Sequence, residues 1–167
     1  MTPKKKILNT IIGFITLFFL FLIWYKATYS MNEAPSYEIN SPTNKTKLLI
    51  ATQGSEFKNT ITENIVNYYK KDSLYIKVID VSQLDKINSN KFNAIFLFHT
   101  WENLKPPIEV ETFIKNNKGL KSKIIIYTTS GNGSYKMKNI DALTGESKLE
   151  DIKKVSNQIT KKLDDLL

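Results

Sequence analysis

One strand that carries no charge on either face constrains the fold of this chain most. Ile124, Ile125 and Ile126 stand in a row after Lys123, and a strand of consecutive apolar residues buries both of its faces. Such strands lie inside parallel sheets that helices cover on both sides. The strand runs into a loop rich in glycine and hydroxyl side chains, residues 128–134. Because open α/β sheets bind ligands at the carboxyl ends of their strands, we predict a ligand site at this loop.

Strand and helix patterns alternate from residue 45 to residue 167, which predicts one α/β domain. Strands are predicted over 48–51, 74–81, 94–98 and 123–128, with a short fifth over 140–143; helices are predicted over 56–71, from Pro106 onward, and over 149–166. Alternation of apolar and polar residues in 74–81 predicts a half-exposed edge strand. Too little helical pattern follows it for an ordinary crossover. The whole predicts a three-layer sandwich around a mostly parallel sheet of four to five strands.

Residues 7–25 form an uncharged apolar run whose length suits a membrane-spanning helix. Three lysines precede it and Lys26 follows, so we expect residues 1–6 in the cytoplasm. The run exceeds a signal-peptide core and no small-residue cleavage site follows, which favours an uncleaved signal anchor. Residues 26–44 contain two prolines and no sustained period, which predicts a linker. Residues 45–167 would then lie outside a bacterial-type cell membrane.

Composition excludes several classes of site. The formal charge of +8 comes without a basic stripe or base-stacking motif, so we expect no nucleic-acid partner. The absence of cysteine excludes disulfides, thiolate metal sites and cysteine nucleophiles. A single histidine excludes sites built from several histidines, and we expect no metal. Every basic residue is lysine, so an anion site would use ammonium groups, hydroxyls or backbone N–H groups.

Three loops at predicted strand ends resemble those of the flavodoxin-like family, and the resemblance extends over residues 45–167. They read TQGSEFK at 52–58, HTWE at 99–102 and TSGNGSY at 129–135. The resemblance implies that the first loop holds the phosphate of flavin mononucleotide (FMN) and that the other two flank its ring. Helix N-termini bind anions, and aromatic side chains stack on flat rings. The cofactor-binding residues that this resemblance implies are Thr52, Gly54, Ser55, Lys58, Thr100, Trp101, Ser130, Gly131, Gly133 and Tyr135.

The chain departs from the family pattern at two places. The family's phosphate loop reads T-x-T-G-x-T, whereas Ala51, Gln53 and Glu56 fall where its hydroxyls would be. Glu56 would face a phosphate with like charge, which Lys58 could offset. Residues 134–139 replace the helix that the family has between its last two strands.

Residues 141–147, DALTGES, are similar to the D-x-x-[ST]-G-A-[ST] motif at which extracytoplasmic flavin-binding subunits receive a covalent flavin phosphate. The hydroxyl at that position here is Ser147, with Glu146 in place of the small alanine. The other interpretation is a turn in which Ser147 and Glu150 form a capping box for the last helix. The residues favour the turn.

No complete catalytic set is visible. Ser55, His99 and Glu102 could form a hydrolase site, but the G-x-S-x-G elbow is missing, and a structural histidine is the simpler interpretation.

Two hypotheses for the function remain. The first is a membrane-anchored electron carrier that binds FMN and meets a redox partner. The second is a cofactor-free binding or scaffolding domain that contacts another envelope protein.

Overall fold

The computed structural model describes residues 2–29 and 31–167, in two separate units. The first unit contains helix α1 (Pro3–Tyr29). Its segment Pro3–Tyr25 is the one stretch, among the described residues, that is long and apolar enough to cross a membrane. The second unit, Met31–Leu167, has its own core and carries every other element.

The second unit is built on a six-stranded sheet in the order β1-β3-β2-β4-β5-β6. All neighbouring strands are parallel except β1, which runs antiparallel to β3. The strands are β1 (Tyr37–Ile39), β2 (Thr46–Thr52), β3 (Leu74–Asp80), β4 (Ala94–Thr100), β5 (Ile124–Thr129) and β6 (Leu143–Gly145). The mostly parallel α/β architecture is confirmed, and the strand count of four to five is corrected to six.

The extra strand comes from the segment that the sequence assigned to a linker. In β1, Tyr37 pairs with Val78 and Ile39 with Ile76. The following Asn40 donates its side-chain Nδ2 to the carbonyl oxygen of Leu74 at 2.8 Å. β3 therefore has a neighbour on each side, and the prediction that it forms the edge is wrong. β1 has only three residues, which are too few to show the alternation of apolar and polar side chains that indicates a strand. Residues 26–44 therefore gave no strand signal.

Helices cover both faces of the sheet. On one face α2 (Glu56–Tyr69) and α4 (Ile152–Asp164) pack on a core that includes Leu48, Ile50 and Phe96. On the other, α3 (Ile108–Asn116) and a 3₁₀ helix, Val81–Lys86, pack around Leu49 and Ile95. The three-layer sandwich is thus confirmed. That 3₁₀ helix and a second one, Ser89–Lys91, make the β3–β4 crossover, which explains the weak helical pattern there.

The C-terminal part differs in detail from the sequence prediction. Residues 130–142 form no helix, as expected, and Met137, Ile140 and Ala142 pack against the core from this extended segment. The last strand starts three residues later than predicted, and a 3₁₀ helix, Leu149–Asp151, precedes α4. Lys148 is the N-cap of that 3₁₀ helix and no side chain caps it, so the predicted capping box at Ser147 is wrong.

Candidate functional site

The carboxyl ends of β2 and β4 form the switch point of the sheet. From β2 the chain crosses to β3 on one side, and from β4 to β5 on the other. Such a switch point leaves a crevice between the two following loops, and ligands of open α/β sheets bind there. The loops that begin at Gln53 and Trp101 are therefore adjacent, and the loop after β5 begins beside them at Ser130.

The chain itself crosses this crevice. Residues 31–34, which we call the strap, precede β1 and lie on the first loop. Gly54 donates its N–H to the carbonyl oxygen of Asn32 at 2.7 Å, and Asn32 donates to the carbonyl oxygen of Gly54 at 3.2 Å. Ala34 is buried and donates its N–H to Asp80 Oδ2 at 2.7 Å. The Gly54 N–H that the resemblance assigned to a phosphate is thus bonded within the chain.

The hydroxyls of the first loop also have partners inside the protein. Thr52 is buried, and its Oγ1 donates to the carbonyl oxygen of Gln53 at 3.1 Å. Ser55 Oγ accepts from the backbone N–H of Lys58 at 3.3 Å, which makes Ser55 the N-cap of α2. Gln53, read from the sequence only as a departure, joins the two loops. Its Oε1 accepts from the Thr100 N–H at 2.7 Å, and its Nε2 donates to Glu102 Oε1 at 3.0 Å.

Lys58 points into the interior of the domain. Its side chain is fully buried, and Nζ donates to Thr100 Oγ1 at 2.6 Å. Thr100 Oγ1 is hydrogen-bonded in turn to Thr129 Oγ1 at 2.6 Å, and Met31 Sδ of the strap lies 3.5 Å from Nζ. No carboxylate of the described residues lies within 4.0 Å of this ammonium group. Burial lowers the pKa of Lys58 from 10.5 to about 8, and the negative charge of Glu102 opposes this.

His99 is a buried structural residue. Its Nε2 lies 3.2 Å from Thr128 Oγ1, and burial lowers the pKa of the imidazole to about 4. His99 is therefore neutral near pH 7. Ser55 is engaged as a helix cap and Glu102 accepts from Gln53, so the three residues of the imagined hydrolase site each have other partners.

The two aromatic residues assigned to the flavin ring are brought together. The ring centroids of Trp101 and Tyr135 are 5.4 Å apart, with the planes at 45°. A flat ring held between them would separate the centroids by about 7 Å, twice a carbon–carbon contact distance. Trp101 Nε1 is buried and finds no hydrogen-bond partner among the described residues. The pair forms a half-exposed aromatic surface whose slot is closed by mutual contact.

The glycine-rich loop is organised by its own side chains. Ser130 Oγ accepts from the Tyr135 N–H at 3.3 Å, and Asn132 Oδ1 accepts from the Ser134 N–H at 3.2 Å. Gly133 has a φ of +65°, and a Cβ there would lie 3.0 Å from the backbone nitrogen of Glu146. Gly133 is thus explained by packing. Gly131 is different, because nothing lies within 4 Å of where its Cβ would be.

Comparisons with known proteins support the architecture alone. No family model and no curated protein matches the chain. The flavodiiron core of Flv1 from Synechocystis sp. PCC6803 aligns with a TM-score of 0.57 and 12% identity, over 74% of this chain and 36% of that one. The domain has a flavodoxin-like fold. An archaeal flavodoxin and flavodoxin 2 from Bacillus cereus align with TM-scores of 0.48 and 0.46 and identities of 12% and 13%; each comparison covers 72% of this chain and 99% of the flavodoxin.

Most of the residues that the resemblance assigned to FMN at the switch point already have partners within the domain. A phosphate there needs free N–H and hydroxyl donors, but Gly54 donates to the strap, Ser55 caps α2 and Thr52 donates to its own loop. The ring slot is closed by the Trp101–Tyr135 contact. The strap is the feature that the sequence did not reveal, because its pairing with Gly54 joins residues 22 positions apart and leaves no local pattern.

Proposed function

We propose that this chain is a membrane-anchored flavodoxin-fold domain that binds another envelope protein and holds no flavin. Residues 7–25 would be the anchor, and the lysine bias around them favours a cytoplasmic N-terminus with the domain outside. The observation that carries the proposal is the strap, which occupies the crevice that a flavin would need.

A flavin could enter the crevice only after the strap is displaced, and the free energy of that displacement would lower the affinity for flavin. Three hydrogen bonds from backbone N–H groups hold the strap, two between Asn32 and Gly54 and one from Ala34 to Asp80, in addition to the weaker contacts of Met31 Sδ with Lys58 and Thr100. A protein hydrogen bond contributes about 1 kcal/mol net, so breaking these three costs about 3 kcal/mol. Exposure of the buried Ala34 would add to this cost. A ligand that must supply this free energy binds roughly a hundredfold more weakly.

Electron transfer by bound FMN is the second candidate, and two observations favour it. Lys58 is a buried cation with no carboxylate within 4.0 Å among the described residues, which would suit an anion. Trp101 and Tyr135 form an aromatic surface, and nothing lies within 4 Å of a Cβ built at Gly131. In that case Trp101, Tyr135 and Gly131 would hold the ring, Lys58 would face the phosphate, and the flavin would supply the redox chemistry.

A flavin titration decides between the two. The full chain, in lipid nanodiscs, is mixed with FMN while the flavin fluorescence is recorded. We expect no quenching beyond that given by empty nanodiscs. Quenching by the wild type that is lost in Trp101→Ala but kept in Tyr68→Ala, a change at an exposed tyrosine of α2, would establish the redox function instead. Flavin colour that survives denaturation and disappears in Ser147→Ala would establish covalent attachment.

A further inference from the structure

A two-residue hairpin projects from the loop after β4. Glu102 donates its N–H to the carbonyl oxygen of Lys105 at 2.9 Å, and Lys105 donates back to Glu102 at 3.0 Å. The two residues between them, Asn103 and Leu104, have φ values of +50° and +62°. Positive φ at both central positions defines a type I′ turn, in which Asn-Gly is the favoured pair. Here leucine stands where glycine is expected.

Leu104 is not explained by packing. Its side chain is 70% exposed, and Ile108, at the first position of α3, is 65% exposed. Pro106 and Pro107 lie between them and restrict the backbone, so the two apolar side chains are presented on a stiff segment. A bulky residue in the left-handed region is unfavourable, and exposure gives Leu104 no compensating burial in the isolated domain. Contact with a partner would provide that burial.

The charges beside the hairpin indicate what kind of partner fits. A cleft of ≈ 380 Å³ adjoins it, with Glu33, Asp80, Glu102, Glu109 and Lys105 in its lining. None of these carboxylates has a lysine ammonium within 4.0 Å among the described residues. The cleft is acidic although the whole chain carries +8. A negative field repels anionic lipid and acidic proteins and attracts basic ones.

We propose that the hairpin 102–105 and this cleft bind a basic, leucine-containing segment of a partner protein. Leu104 and Ile108 contact the apolar side chains of that segment, and its lysine or arginine groups face Glu33 and Glu109. Glu33 and Glu109 both line the cleft, and Glu33 belongs to the strap. This inference rests on the proposed function, because it assigns a surface and a partner chemistry to the protein-binding domain.

The test uses two synthetic helical peptides with the same leucines, one carrying lysines and the other glutamates at the remaining positions. The full chain in zwitterionic nanodiscs is titrated with each fluorescent peptide, and empty nanodiscs supply the background. We expect the lysine peptide alone to bind. Its Kd should rise at least tenfold in Leu104→Gly and in Glu33→Gln/Glu109→Gln. The matched control, Leu149→Ala, changes an exposed leucine next to α4 and should leave the Kd unchanged.

Thermal unfolding separates a binding role of Leu104 from a structural one. Because glycine relieves the left-handed backbone, Leu104→Gly should raise the Tm while it weakens the peptide. A lowered Tm, equal binding of both peptides, or an unchanged Kd in Leu104→Gly would overturn this surface. Failure of the lysine peptide to bind, with FMN still excluded, would also overturn it and would leave the proposed function standing. Binding of FMN by the wild type would remove the proposed function itself.

Discussion

Lys58→Met should stabilise the domain at neutral pH, although it deletes a charged group that makes a short hydrogen bond. Burial lowers the pKa of Lys58 from 10.5 to about 8. Each pKa unit is worth about 1.4 kcal/mol, so the buried ammonium group destabilises the fold by about 3 kcal/mol at pH 7. Loss of the bond to Thr100 removes about 1 kcal/mol of stabilisation. The variant should therefore gain about 2 kcal/mol in the free energy of unfolding.

The same residue fixes the sign of the pH dependence. Between about pH 8 and pH 10 the unfolded chain keeps the proton on Lys58 and the folded chain releases it. Stability rises with pH wherever the unfolded state binds more protons. The wild type should therefore become more stable through this window by up to about 3 kcal/mol relative to Lys58→Met, in which the contribution is absent.

Urea unfolding of the full chain in nanodiscs, followed by tryptophan fluorescence from pH 7 to pH 10, measures both effects. Lys154→Met changes an exposed lysine of α4 and is the matched control. A Lys58→Met variant that is less stable than the wild type at pH 7, with the same pH slope, would refute the reasoning. If phosphate or FMN stabilises the wild type and not Lys58→Met, Lys58 faces a bound anion and the closed crevice is wrong.

Three further sets of variants test packing and hydrogen bonds within the domain, each by thermal unfolding. Gly54→Ala should lose about 1–3 kcal/mol, because its Cβ would lie 2.7 Å from a strap carbonyl oxygen; unchanged stability would show that the strap is loosely held. Gly145→Ala should also destabilise, since its Cβ would overlap the Tyr127 hydroxyl oxygen, and Tyr127→Phe should restore part of the loss; strict additivity of the two changes would contradict that contact. Tyr69→Phe removes the hydroxyl that donates to Asp164 Oδ1 at 2.6 Å and lies 3.2 Å from the Thr160 carbonyl oxygen, and should lose about 1 kcal/mol; Asp164→Ala should lose a similar amount, and an unchanged Tm in both variants would contradict the bond.

The elements that the sequence predicted well are those with long apolar runs. The unbroken isoleucines of β5 and the run Ala94–Phe98 within β4 have no polar face to expose, so their central places in a parallel sheet follow from the residues alone. The face of α2 was equally readable, because Phe57, Ile61 and Ile65 recur at helical spacing and all three are buried. β1 was missed because three residues show no period.

The site was harder to predict than the sheet. Position 58 follows the start of a helix by two residues, where a lysine is ordinarily exposed, but here it is buried and its hydrogen-bond partner, Thr100, is 42 positions away. The role of Gln53 depends in the same way on Thr100 and Glu102 across the crevice. The resemblance made Gly54 a phosphate-loop residue, but the close neighbour of its backbone is the carbonyl oxygen of Glu33. Residue types at a loop indicate which chemistry is available, whereas long-range pairing decides whether it is free.

The measurement that tests the closed crevice most directly is amide hydrogen exchange of the full chain in nanodiscs, with and without excess FMN. The Gly54 and Asn32 amides donate to one another's carbonyl oxygens, and the Ala34 amide donates to Asp80. We predict slow exchange at all three amides and no change when FMN is added. Fast exchange at Gly54 and Asn32 in the free protein, followed by protection of Gly54 when FMN is added, would contradict the account. The crevice would then be an open flavin site.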